Sequence, residues 1–217
     1  MTAVPLSGRS GTLPHMPLND HDLQNSQTRI NTWLAGHRQR APERPAAAAE
    51  ELRALEADLG ATLPADVHQW WTMAGVSADF WIPGSFAPLG LDEALETREI
   101  WLLVAEQEGT TLDASGSPEP RFQSSFLPIA MDPGGDGLIA DLRPGESYGA
   151  LFRWDHETWT LELPLWESVT SMLQDTATAL ETGTPALLQH ATNGGQEQPC
   201  LAVVDDAGEL LWEATAR

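Results

Sequence analysis

A single cysteine, Cys200, occurs in 217 residues. This excludes an internal disulfide framework and any CxxC metal knuckle or redox pair. Lysine is absent: all 11 basic residues are arginine, against 32 acids. No apolar run approaches the roughly 18 consecutive residues that a spanning helix needs, so no membrane partner is expected. The opening MTAVPLSGRSGTLPHMPLND has Pro, Ser and Gly where a secretory signal has an apolar core. A cytoplasmic location is therefore the expectation.

The net charge of −21 is unevenly placed. Residues 1–44 hold five arginines against three acids, giving +2, whereas residues 45–217 hold six against 29, giving −23. Such a field repels phosphate backbones, which argues against nucleic acid as a partner, and attracts a basic protein. An arginine-only basic set with abundant Ala, Pro and Gly is also what a GC-rich coding sequence yields, and such proteomes are acidic without reference to any partner. With 41 % hydrophobic and 20 % charged residues, the chain can fill a core and fits one generous domain with appendages.

Residues 1–26 show no hydrophobic period and several breakers, and are expected to form a flexible arm dispensable for folding. The stripe Ile30, Trp33, Leu34, His37 predicts a helix over 27–40. After Pro42 and Pro45, AAAAEELRALEADLG predicts a helix closed by Gly60. A third helix is predicted from Pro64 to Gly75, with Trp70 and Trp71 on its core face. Asp92 to Gln107 forms a fourth, its first-turn acids suited to the N-terminal dipole. Residues 108–121 read as a polar loop. FLPIAMD, DGLIADL, YGALFRW and TWTLEL, separated by turn chemistry, predict a four-stranded antiparallel meander. A helix follows from Leu165 to Gly183, and CLAVVDD with ELLWEA makes a terminal hairpin.

Three segments occur in one order, LEADLGATLPADVHQWWTMAG, then FLPIAMDPGGDGLIADL, then LWESVTSML. Together they resemble the SUKH superfamily, the SMI/KNR-like domain, over roughly residues 47–181. Pro128, Ile129, Ala130, Asp132, Gly134, Gly135, Asp136 and Asp141 match its most specific run. The family usually places Asn before Gly75, where this chain has Ala74. The resemblance implies an α+β fold without known catalysis, acting by protein recognition. Bacterial members are similar to immunity proteins that neutralise nuclease or deaminase toxins, and fungal members to cell-wall assembly regulators. The expected division of the chain is an arm (1–26), a SUKH domain (27–183) and a C-terminal hairpin extension (184–217) packed on the same domain. The expected architecture is a sheet of about four strands, N-terminal helices and a C-terminal helix packed around it, and that hairpin.

Read as chemistry, Asp132–Gly137 lacks the third and twelfth ligands of an EF-hand, which here are Gly134 and Arg143. It also lacks the Lys-Ser or Lys-Thr of a phosphate loop. A structural turn, with the carboxylates bonded to nearby amides, is the expectation, and no metal or cofactor is expected. His156, between Asp155 and Glu157, reads as a solvated turn. Cys200, in an apolar strand, reads as a buried hydrophobe. Most of the nine tryptophans are expected in the core. The aromatic stretch 79–86 has no period, so Asp79, Phe80 and Trp81, with Asp132 and Asp136, are the expected contacts for a basic partner.

The leading expectation is a non-catalytic immunity protein that occludes a toxin. The alternative is a regulatory scaffold with an endogenous partner, and the third a hydrolase using Asp132, Asp136 and His156.

Overall fold

The computed structural model of the chain describes residues 20–37, 42–112, 118–159, 161 and 163–215. In chain order its helices are α1 (Asp20–His37), α2 (Ala49–Leu59), α3 (Ala65–Thr72), α4 (Leu91–Glu108), α5 (Val169–Thr182) and α6 (Leu188–Thr192). The strands are β1 (Ala87–Pro88), β2 (Thr110–Leu112), β3 (Pro118–Pro120), β4 (Phe126–Met131), β5 (Gly137–Asp141), β6 (Leu151–Trp154), β7 (Cys200–Val204) and β8 (Leu210–Ala214). Among the described residues no helix is long and apolar enough to cross a membrane. The α+β architecture with a four-stranded antiparallel sheet and a terminal hairpin is as the sequence predicts.

Local chemistry starts and stops the helices. Glu51 takes the Ala48 amide at 2.6 Å and Glu93 the Gly90 amide at 2.8 Å, each three residues into its helix. Ser168 and Ser171 cap the start of α5 reciprocally. Asp66, buried on α3, accepts the Thr170 amide at 3.2 Å and so caps α5 from across the core. Gly60 and Gly183 end α2 and α5 in the left-handed conformation.

The sheet runs β1-β4-β5-β6. Strands β4 and β5 are buried along almost their full length, which requires cover on both faces. Leu127, Leu138, Ala140 and Leu151 join Leu52, Val67, Trp70, Val169 and Leu173 in the main core. Phe126, Ile139, Phe152 and Trp154 turn the other way, into an aromatic cluster with Trp101 of α4 and Phe122. The hairpin packs on the main core through Cys200, Ala202, Leu210 and Trp212.

Three local expectations differ from the structure. Helix α1 starts at Asp20, so residues 20–26 are helical rather than part of a loose arm, and Leu23 is 1 % exposed in the core. Buried Ser26 and Gln27 continue the inward face, and polar residues do not register in a hydrophobic period. Residues 1–19 lie outside the described residues. The sheet's fourth strand is β1, paired to β4, and not TWTLEL. Leu161 makes only an isolated bridge to Trp154, and the chain rejoins the edge of β6 at Trp166, beyond Pro164, which has no N–H to give a ladder. The expected loop 108–121 contains the β2–β3 ladder, with 113–117 outside the described residues.

Candidate functional site

The Asp132–Gly137 turn joins β4 to β5. Asp132 Oδ1 accepts the Gly134 and Asp136 amides at 2.8 and 2.9 Å, the backbone-bonded turn expected of it. Gly135 takes a positive φ of 100°. Gly137 is required for a different reason. The far edge of the Trp101 indole lies against it, and a Cβ there would overlap Cη2 and stand 2.9 Å from Cζ3.

Arg153 of β6 gathers the acids of this turn. Its Nη2 donates to Asp132 Oδ2 at 2.9 Å and Asp136 Oδ2 at 2.8 Å, its Nε to Asp136 Oδ2 at 3.1 Å, and its Nη1 to Glu197 Oε1 at 3.0 Å. Asp136 Oδ1 accepts from the His156 ring at 2.8 Å and from its backbone amide at 3.2 Å. Burial disfavours the Asp136 anion, but the hydrogen bonds from His156 and Arg153 outweigh it and hold the carboxyl below its ordinary range. The same bond to Asp136 raises His156, against a smaller opposing effect of burial. His156 lies in a turn and is partly exposed, as expected, but its ring is bonded to Asp136 and not to solvent alone. Sequence reasoning missed Arg153, although one signal was present: a lone cation in a strand whose neighbours Leu151, Phe152 and Trp154 are core residues needs acids close by.

Glu197 also lines an open cleft of about 430 Å³ between the Gly84 turn and the terminal hairpin, together with Leu187, Gln196, Gln198, Cys200, Trp212 and Ala214. Cys200 is 5 % exposed, and burial pushes its thiol up to about 11, with the charges of Asp175 and Glu197 adding to the effect. It is a buried apolar group, as expected, and not a thiolate nucleophile. Asp175 accepts from the Trp166 indole at 2.9 Å and the Leu187 amide at 3.0 Å, tying α5 to the segment that enters the cleft.

The structure divides the expected aromatic contact surface. Trp81 has 0 % exposure, with its indole donating to Ser77 O at 2.9 Å and its ring 6.3 Å from that of Trp70. Phe86 is likewise fully buried. Trp81 therefore offers no surface to a partner, because the loop closes over the core. Phe80 stays 38 % exposed beside half-buried Asp79. The Trp212 indole donates to Trp81 O at 3.2 Å, so the 79–86 loop and the hairpin are joined at the cleft. The Asp132–Asp136 turn reaches the same cleft through Arg153 and Glu197.

Each described arginine is engaged within the fold. Arg29 pairs with Glu181, Arg98 with Asp58, Arg143 with Asp141, and Arg153 with three acids. Arg53 donates to Ala49 O, and Arg121 lies over Trp159. Arg44 is buried over Trp70, donates to the Trp70 carbonyl, and is pushed down to about 10 by burial. In contrast, Glu50, Glu51, Asp92, Glu93, Glu96, Glu99 and Glu106 are exposed. On α4 the last three accompany Ile100 and Leu103, each 51 % exposed. Among the described residues no group of three or more His, Cys, Asp or Glu is placed to hold a metal ion.

At the turn where the sequence departs from the SUKH pattern, Ala74 is exposed, and Asn31 of α1 donates to Gly75 O at 2.9 Å. No curated protein matches the chain. The family model described as SMI1 / KNR4 family (SUKH-1) matches residues 46–175, from the start of α2 to the middle of α5 and across the whole sheet. The match covers more than half of the chain, which therefore belongs to the SMI1/KNR4 (SUKH-1) family.

Proposed function

We propose that the protein is a non-catalytic binding domain acting as an immunity protein, which neutralises a basic nuclease or deaminase toxin by covering its active site. The observation that carries this reading is the separation of charge. Most described arginines are paired with acids or buried within the fold, while Glu50 of α2 and Asp92, Glu96, Glu99 and Glu106 of α4 are exposed. A surface of one sign speeds encounter with a partner of the opposite sign. Phe80 beside Asp79, and Ile100 and Leu103 among the α4 acids, add apolar contact area to that field. Hydrolysis by Asp132, Asp136 and His156 is disfavoured, since every oxygen of the two carboxylates already accepts a hydrogen bond within the fold.

The test is capture from native lysate at low salt, identification of the bound protein, and assay of that protein's own activity. A basic enzyme silenced at a 1:1 ratio, whose association slows at least about tenfold between 50 and 500 mM salt, is the expected result. A captured endogenous protein whose activity is unaffected would instead favour a regulatory scaffold. Salt-independent capture would refute acidic docking.

A further inference from the structure

The cleft beside the terminal hairpin has the chemistry of a cation receptor. Its lining lies largely outside the family-matched segment: of the residues around it, only Gly84 falls within 46–175. Trp212 lines the cleft, half-buried and with its indole held in orientation by a hydrogen bond to Trp81 O. Glu197 lines it too, its Oε1 fixed by Arg153 while Oε2 has no hydrogen-bond partner among the described residues. The side-chain amides of Gln196 and Gln198 are likewise unpartnered there, which leaves their oxygens free to accept. Leu187, Cys200 and Ala214 add apolar lining suited to the methylenes of a long side chain.

A planar aromatic wall, a fixed carboxylate and neutral acceptors together match a guanidinium, which stacks on an aromatic face and donates several hydrogen bonds in its own plane. An ammonium would use the carboxylate but gain less from the indole and the amides. We propose that this cleft receives an arginine side chain presented by the protein partner, with Trp212 stacking on it and Glu197, Gln196 and Gln198 accepting its N–H groups. The partner class rests on the acidic-docking reading given above, whereas the guanidinium site rests on the cleft alone.

The experiment is a titration of the ¹⁵N-labelled full chain with N-acetyl-arginine N-methylamide, following the indole Nε1–H resonance of Trp212. The lysine and norleucine analogues serve as comparison. The expected result is a saturable shift with half-saturation on the order of 10 mM, as befits a single side chain. The lysine analogue should bind at least about threefold more weakly and norleucine should leave the resonance unmoved. Glu197→Gln should weaken the arginine probe about tenfold. Trp212→Leu should abolish saturation at the Gly84 and Ala214 amides, and Glu197→Gln decides the matter if that variant fails to fold. Equal binding of norleucine, no change in Glu197→Gln, or shifts confined to the acids of α4 would overturn the proposal. A silent cleft with salt-sensitive partner capture removes the cleft and leaves acidic docking standing. Probe binding with salt-independent capture does the reverse.

Discussion

Replacing Gly137 with alanine places a methyl group against the indole of Trp101, and the structure shows why the ring cannot yield. Trp101 is 9 % exposed and packs against Phe122, edge-on at 5.2 Å, and Trp154, at 6.5 Å, two rings that also meet each other at 5.3 Å. The added Cβ would overlap Cη2 and lie 2.9 Å from Cζ3, so either α4 must lift from the sheet or the whole aromatic cluster must shift. Overpacking of a well-filled core costs about 1 to 3 kcal/mol, and a rigid bicyclic ring backed by a closed group of aromatic rings belongs at the upper end, about 3 kcal/mol. For a domain of this size that corresponds to a fall of roughly 6 to 12 °C in Tm. The assay is urea denaturation of Gly137→Ala, Trp101→Phe and the double variant. Phenylalanine lacks the atoms that collide, so the double variant should be more stable than the sum of the single losses predicts, with a coupling of about 1 to 2 kcal/mol. A Gly137→Ala protein melting within about 1 °C of the native chain, or strict additivity with Trp101→Phe, would refute the reasoning.

Arg153→Met leaves Asp132, Asp136 and Glu197 together without their cation, and should cost about 2 kcal/mol at pH 7 by chemical denaturation. The His156–Asp136 pair has two pH limits. The contribution of raised His156 is full below its ordinary 6.5 and is lost as pH rises through its folded value. That of depressed Asp136 is present above its ordinary 3.8 and lost as pH falls through its folded value. Since the His156 side chain is 38 % exposed, His156→Gln should cost only about 0.5 kcal/mol near pH 6, fading by pH 9. A deficit that grows with pH would contradict the assignment. Trp81→Ala should lower stability by about 3 to 5 kcal/mol, while the fraction that remains folded binds a partner normally. A chain starting at Gln27 loses Leu23 from the core and should be less stable by about 2 to 3 kcal/mol in chemical denaturation, whereas one starting at Asp20 keeps it.

What could be read along the chain was whatever depends on near neighbours. The Leu52–Leu55–Leu59 stripe with Gly60 behind it fixed α2, and the alternation of turn residues with β-prone runs fixed β4, β5 and the terminal hairpin, because periodicity and turn chemistry act within a few residues. The family could be read from the Pro128–Asp141 run for the same reason. Tertiary structure alone decided where side chains distant in sequence meet. Trp81 and Phe80 are adjacent in the same unpatterned loop, yet one is sealed against Trp70 and the other faces solvent, since burial depends on what the fold lays over each. Asp132 and Asp136 carry no mark that their partners are Arg153 and His156, which arrive from β6 and the turn after it, nor that Arg153 also holds Glu197 from the segment before β7. The cleft is likewise invisible in sequence: its walls are Gly84 and residues 187–214, and an ion pair or cavity exists only once folding has carried those groups within a few ångströms of one another.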